Sequence, residues 1–135
     1  MAKALPKKAT PRLGKVQLQI MQILWERRTA TAREITDALN QSEPVAHSTT
    51  QTLLRKLEAK GAVSHTVRDR VFVFRPLSRE ADVSESAARD LLTRVFGGSV
   101  YGLVSHLLKH ETLSEDELTR LRELIDAAPV SEAAQ

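Results

Sequence analysis

The sequence predicts a mostly α-helical protein with one small β-hairpin, and three observations support this fold class. Apolar residues recur at three- and four-residue steps through most of the chain, which is typical of helices with one buried face. Residues 62–76 change to the two-residue period of strands. A serine or threonine with glutamate or glutamine three residues later, a helix-start pattern, occurs at Thr31, Ser48 and Ser114.

The composition describes a small globular protein without cysteine chemistry. The 135 residues are 41% hydrophobic and 27% charged, enough for one domain or one small domain with an attachment. The absence of cysteine excludes disulfides, thiolate chemistry and cysteine-based zinc sites. The chain shows neither the apolar core of a signal peptide nor an apolar run of about 18 residues, so we expect a cytoplasmic protein without membrane insertion.

Charge is distributed unevenly along the chain. Residues 1–76 contain 14 lysines and arginines and six acidic residues, whereas residues 77–135 contain six and 11. A basic first part joined to an acidic second part indicates a polyanionic partner for the first part only. The alternative is chance segregation of surface charge.

The basic first part divides into a tail and three helices. Residues 1–12 predict a flexible basic tail, and a helical period then starts at Leu13. We expect Trp25, the only tryptophan, to pack in the core or an interface rather than to bind a ligand. Thr31 is the predicted N-cap of the second helix, and Ser48 that of the third. The inner face of the third helix is expected to contain Leu53, Leu54 and Leu57.

The strand-like segment predicts a hairpin with an arginine-rich tip. Val63 to Val67 alternate with polar residues, and residues 71–76 are β-branched and aromatic before Pro76 ends the strand. The tight loop between them contains Asp69, which tolerates positive φ.

The acidic part predicts three further helices and a loose tail. The first ends at the pair Gly97-Gly98, Ser99 caps the second, and Ser114 caps the third. Residues 128–135 have no helical period and are expected to be a flexible tail.

Three helices followed by a hairpin give the element order of a winged helix-turn-helix DNA-binding domain, which we assign to residues 13–77. The third helix would enter the major groove, where short hydroxyl side chains permit close approach and glutamine can bind adenine. Arginines of the hairpin, or wing, would contact phosphates or the minor groove. The predicted DNA-binding residues are Thr31, Arg33, Ser48, Thr49, Thr50, Gln51, Thr52, Arg55, Arg68 and Arg70. The alternative is that these residues only cap helices or form ordinary surface.

The sequence also resembles a known family in several segments. These are LGKVQLQIMQILWERRTATAREITDALN, HSTTQTLLRKLEAKGAV, FVFRP, FGGSVYGLVSHLL and LSEDELTRLRELI, which are similar in order and spacing to the penicillinase-repressor (BlaI/MecI/CopY) family over residues 13–126. The resemblance implies a homodimeric bacterial transcriptional repressor that binds double-stranded, palindromic operator DNA, typically with TACA/TGTA half-sites. For members that control antibiotic resistance, it also implies a membrane sensor that triggers proteolysis of the C-terminal domain.

Three departures from the family pattern stand out. Gln17 replaces an acidic residue common in the first helix, which we expect to be a minor surface difference, and Asp69 stands where the wing has a glycine. The copper-sensing branch uses C-terminal cysteines, which this chain lacks, so a copper(I) thiolate mechanism is excluded.

Residues 78–127 are predicted to form a helical dimerisation domain. Three short helices bury little core alone, and their apolar stripes are wide, so a second copy would cover the surplus. The predicted dimerisation residues are Leu91, Leu92, Val95, Phe96, Val100, Leu103, Val104, Leu107, Leu108 and Leu121. The alternative is a monomer in which this half packs on its own winged helix.

No residue pattern indicates an enzyme. His106 and His110 have a spacing that can bind a metal, but no third ligand is placed, so we expect no metal site and no cofactor. Gly97-Gly98 follows no strand and is not a phosphate loop. The competing function is a winged-helix protein-interaction module whose basic face binds an acidic protein.

Overall fold

The structure, a computed structural model, describes residues 12–131. The predictions for residues 1–11 and 132–135, which belong to the two tails, lie outside the described residues. The elements in chain order are α1 (Lys15–Arg27), β1 (Ala30–Thr31), α2 (Ala32–Leu39), α3 (His47–Ala59), β2 (Val63–Arg68), β3 (Val71–Pro76), α4 (Glu80–Phe96), α5 (Val100–His110) and α6 (Glu115–Ala127). The predicted mostly helical fold with a hairpin is confirmed.

The hairpin is part of a three-stranded antiparallel sheet with strand order β1-β3-β2. Val63 lies opposite Pro76 in the hairpin, and Ala30 of β1 lies opposite Phe74 on the other side of β3. The sequence did not predict β1, because a strand of two residues is too short to show a period. This strand joins the α1–α2 connection to the wing.

The chain forms two compact units, the first up to residue 90 and the second from residue 91. The first unit contains the core, which packs α1, α2 and α3 against the sheet. Its fully buried side chains include Ile20, Met21, Leu24, Ile35, Leu54, Leu57 and Val63. Trp25 packs against this core, and its Nε1 donates a hydrogen bond to the Ser78 carbonyl at 2.8 Å, which confirms its packing role.

The second unit consists of the end of α4, α5 and α6. Gly97 and Gly98 adopt φ of 57° and 84° after α4, as expected of a glycine pair that ends a helix. Ser99 accepts a hydrogen bond from Gly102 N at 2.8 Å and Ser114 from Glu117 N at 3.0 Å, so both predicted N-caps are confirmed. No residue of α5 or α6 is buried.

Two predictions about the first unit are wrong. Ser48 is not the N-cap of α3, because the helix begins at His47 and is preceded by Ala46, which has no side-chain acceptor. Gln17 is not a minor surface residue, since it is 7% exposed. Its Oε1 accepts a hydrogen bond from Gly14 N at 3.0 Å, and this bond satisfies a free amide at the start of α1.

Within the described residues, no single helix has the length and apolarity needed to cross a membrane. Only α4 and α5 taken together, as a bent pair, pass such a test by length and composition.

Candidate nucleic-acid interface

Helix α3 is divided lengthwise into a buried face and an exposed polar face. Thr50, Leu54 and Leu57 are buried at three- and four-residue steps and hold the helix on the core. The exposed face carries polar, mostly short side chains over its first two turns and basic side chains further on. Its residues are Ser48, Thr49, Gln51, Thr52, Arg55 and Lys56.

Thr50 was predicted to contact DNA, but its side chain lies on the wrong face. It is 0% exposed, and its Oγ1 has no hydrogen-bond partner. The residue continues the leucine stripe of α3, four positions before Leu54, so burial follows from helix geometry. The prediction that Thr50 lies on the outer face is therefore wrong.

The turn between α2 and α3 is held by the Asn40 side chain. Asn40 Nδ2 donates to the carbonyls of Thr36 at 2.8 Å and Val45 at 3.0 Å, and its Oδ1 accepts from Val45 N at 3.0 Å. These bonds connect the end of α2 to the residues just before α3. Asn40 therefore sets where α3 begins, a role that sequence reasoning missed.

A second contact links the two helices at the first residue of α3. His47 Nδ1 lies 3.1 Å from Thr36 Oγ1, which in turn lies 2.8 Å from the Ala32 carbonyl. This residue was absent from the predicted DNA-binding set. Its position one residue after the Ala46 N-cap places it among the first residues of the helix.

Helix α2 begins with the predicted capping box. Thr31 Oγ1 accepts from Glu34 N at 3.1 Å, and Glu34 Oε1 accepts from Thr31 N at 2.9 Å, so this prediction is confirmed. Arg33 is exposed in the first turn of α2. Thr31 uses its hydroxyl as a helix cap, while Arg33 forms no ion pair with any described residue.

The wing ends in a turn with two residues at positive φ. Asp69 has φ of 53° and Arg70 of 69°, the pattern of a type I′ hairpin turn. Asp69 and Arg70 therefore form the tight turn without a glycine. Arg68 and Arg70 are both exposed at this tip.

The Glu58–His65 pair links helix α3 to the wing, and an aromatic stack holds the same imidazole within the hairpin. His65 Nδ1 lies 2.9 Å from both carboxylate oxygens of Glu58. The imidazole ring stacks on Phe72 with centroids 3.9 Å apart and an interplanar angle of 10°. A cleft of about 190 Å³ lies between Gln51 and Arg55 on one side and Phe72 on the other.

Three acidic side chains near this surface have partners, whereas five of its cations form no ion pair within residues 12–131. Glu58 pairs with His65, Glu34 caps α2, and Glu43 lies 3.6 Å from Lys15. Among the described residues, ion pairs are absent for five cations of α2, α3 and the wing tip. These are Arg33, Arg55, Lys56, Arg68 and Arg70. The surface therefore has positive charge available for a polyanion.

The second unit exposes most of the residues predicted to form a dimer interface. Exposed members of that set are Leu91, Val95, Val100, Val104, Leu107 and Leu108, with exposures of 38% to 63%. Partly buried members are Leu92, Phe96, Leu103 and Leu121. Tyr101, Leu124 and Ile125 are also exposed, at 65% to 83%, although they are not among the residues predicted for the interface.

His106 and His110 are neighbours on α5, with ring centroids 4.4 Å apart. The Phe96 ring is tilted against that of His106, with ring centroids 5.9 Å apart. In the part of the chain that the structure describes, no group of three metal-ligating side chains comes together.

Comparison with known proteins finds one family model and several relatives that match most of the chain. The family model described as penicillinase repressor matches residues 13–127. The penicillinase repressor of Bacillus licheniformis is 28% identical over 88% of this chain and 93% of its own. The methicillin resistance regulatory protein MecI of Staphylococcus aureus is 24% identical over 87% and 95%. The solution structure of monomeric Bacillus licheniformis BlaI in complex with the blaP half-operator is 30% identical, with a TM-score of 0.47, and covers 53% of this chain and 88% of its own.

Proposed function

The chain belongs to the penicillinase repressor family, and from this premise we propose that it is a dimeric repressor that binds a palindromic operator. Members of this family are DNA-binding transcriptional regulators rather than enzymes. The observation that carries the proposal for this chain is the outer face of α3. Its side chains are short and polar at Thr49 and Thr52, and the face becomes basic at Arg55. The opposite face of α3 is buried in the core.

DNA recognition would use three elements of the first unit. Helix α3 would enter the major groove, with Gln51 hydrogen-bonding a base and the hydroxyls of Thr49 and Thr52 contacting phosphates or bases. Arg33 at the start of α2, and the wing arginines, would bind phosphates. The absence of acidic partners for these arginines among the described residues favours that role.

Dimerisation would cover the apolar surface of the second unit. Side chains such as Val95, at 63% exposure, and Leu107, at 45%, are too exposed to stabilise a single copy. A twofold dimer would bury them and place two α3 helices on successive turns of a palindromic duplex. We propose that the DNA-binding domain spans residues 13–77 and the dimerisation domain residues 78–127.

Release of the operator would follow proteolysis. The relatives are named for penicillinase and for methicillin resistance, so we place this repressor in the cytoplasm under a membrane-bound sensor protease that responds to a β-lactam. In native host cells, we expect an immunoblot to show a shorter repressor fragment after exposure to a β-lactam. Full-length repressor that stays intact while its target transcripts rise would contradict this mode of release.

A binding experiment separates this function from the protein-interaction module. The full-length chain is used to select duplexes from a random pool, and the selected operator is then compared with its scrambled version by gel shift at about 150 mM salt. A repressor binds the selected duplex more tightly by at least about a thousandfold. Equal binding to both duplexes, or none, would favour the basic face as a surface for an acidic protein.

A further inference from the structure

His47, the first residue of α3, has one imidazole nitrogen inside the fold and one without a hydrogen-bond partner among residues 12–131. The side chain is partly buried, and its Nδ1 lies 3.1 Å from Thr36 Oγ1. Thr36 is 3% exposed, so this contact belongs to the packed junction of α2 and α3. No described residue provides a hydrogen-bond partner for the other nitrogen, Nε2.

The bonds of Thr36 fix which nitrogen carries the proton. Thr36 Oγ1 lies 2.8 Å from the Ala32 carbonyl oxygen, which can only accept, so the single hydroxyl hydrogen points there. Toward His47 the hydroxyl therefore acts as the acceptor, and Nδ1–H donates. In the neutral ring, Nε2 is then an unprotonated acceptor.

This tautomer limits what His47 can bind on DNA. Phosphate oxygens only accept hydrogen bonds, so they cannot donate one to an unprotonated Nε2. In the major groove the donors are the exocyclic amino groups, N6 of adenine and N4 of cytosine. The first residues of a recognition helix contact base edges, and His47 lies one turn before Gln51 on the same side of α3.

We propose, on the basis of the proposed function, that His47 is a specificity-determining residue of the operator interface. Its Nδ1–H anchors the ring on Thr36, and its Nε2 accepts a hydrogen bond from the amino group of an adenine or a cytosine. The anchor holds the ring in one orientation before DNA arrives, so the contact costs little side-chain entropy. Anchoring and readout thus belong to different nitrogens of one ring.

Two conservative variants of the full-length chain test the two nitrogens separately. In His47→Asn the amide reaches the level of Nδ1 and keeps the bond to Thr36, but nothing replaces Nε2. In His47→Gln the longer amide reaches the level of Nε2 and loses the bond to Thr36. Each protein selects duplexes from the same random pool, and thermal unfolding is measured alongside.

We expect His47→Asn to unfold at the wild-type temperature but to lose about tenfold of its preference at one base pair in each half-site. His47→Gln should unfold at a lower temperature and keep a preference for an amino-bearing base there. Unchanged preference in His47→Asn, or binding that weakens equally for all sequences, would overturn the readout. If the wild-type chain itself enriches no sequence, the proposed function fails. If the wild-type chain enriches a sequence and His47→Asn keeps the same preference, only the role of His47 fails.

Discussion

Asn40 and Val45 bind each other reciprocally across the turn between α2 and α3. The Asn40 amide nitrogen donates to the Val45 carbonyl and its amide oxygen accepts from the Val45 backbone nitrogen, both at 3.0 Å. A third bond, from the same amide nitrogen to the Thr36 carbonyl, anchors this pair on α2. One side chain thereby fixes the direction in which α3 leaves the turn.

Replacement of Asn40 by alanine should destabilise the fold and weaken operator binding together. Removal of three hydrogen bonds is expected to lower the free energy of unfolding by about 1.5–4.5 kcal/mol, since each bond contributes about 0.5–1.5 kcal/mol net. Chemical denaturation measures the first effect and gel shift the second. Gln41→Ala is the matched control, because Gln41 is the exposed next residue and no side-chain bond is seen for it. Equal stability of the two variants would show that Asn40 does not hold the turn.

Replacement of Thr50 by valine should stabilise the protein. The Thr50 hydroxyl is buried without a partner, and valine has nearly the same shape without the polar group. We expect the free energy of unfolding to rise by about 1 kcal/mol, measured by thermal or urea unfolding.

The same Thr50 substitution tests the corrected position of this residue. Operator affinity should stay at the wild-type value in Thr50→Val, because the side chain is 0% exposed. Thr49→Val is the control on the exposed face, where affinity should fall. A loss of affinity in Thr50→Val without a loss in Thr49→Val would return Thr50 to the DNA surface.

Substitution of Arg70 should separate wing stability from wing binding. Arg70→Ala removes one phosphate contact, so the plot of log affinity against log salt should become less steep by about one unit. The measurement is gel shift or fluorescence anisotropy over a salt series, with selected and scrambled duplexes affected alike.

Arg70→Gly is the paired variant for that experiment. Its salt slope should become less steep by the same amount as that of Arg70→Ala. Glycine also relieves the strain of a φ of 69°, which costs a non-glycine residue about 1–2 kcal/mol. Arg70→Gly should therefore be more stable than Arg70→Ala toward denaturant. If both variants keep the wild-type salt slope, Arg70 does not contact phosphate.

Replacement of Leu107 by arginine should separate the proposed dimer. Leu107 is 45% exposed within one chain, so a charge there is tolerated by the monomer fold but not inside an apolar interface. Light scattering coupled to gel filtration should give the monomer mass, and operator affinity should fall because the two half-sites are no longer bound together. Lys109→Ala, a nearby exposed position on α5, should remain a dimer. A dimeric Leu107→Arg variant would place the interface elsewhere.

The helices and hairpin could be predicted because their signals are local. The caps at Thr31, Ser99 and Ser114 depend only on residues three positions apart, and the structure confirms each. The start of α3 was missed because it depends on Asn40, whose partners lie across a turn. Ser48 offered an equally good local cap, and sequence alone gives no means to choose between a local and a tertiary solution.

The outer face of α3 was largely predictable, but its boundary was not. Thr50 fits the leucine stripe by position, and only its polar side chain suggested the exposed face. His47 was missed for the opposite reason, since its significance comes from the hydroxyl of Thr36, which the fold brings to it. The exposed apolar residues of the second unit were largely predicted from their helical spacing, whereas Tyr101, at 83% exposure, was not among them.

The pairing of Ala30 with Phe74 has a consequence for synthesis of this protein on the ribosome. The nascent chain can form α1, α2 and α3 early, but β1 has no partner and the core has no Phe74 until the second strand of the wing emerges. Because small domains fold as units, the DNA-binding surface is completed only when that strand leaves the exit tunnel. A chain that ends before residue 74 lacks both this strand pairing and a core residue, so we expect it not to compete for the operator.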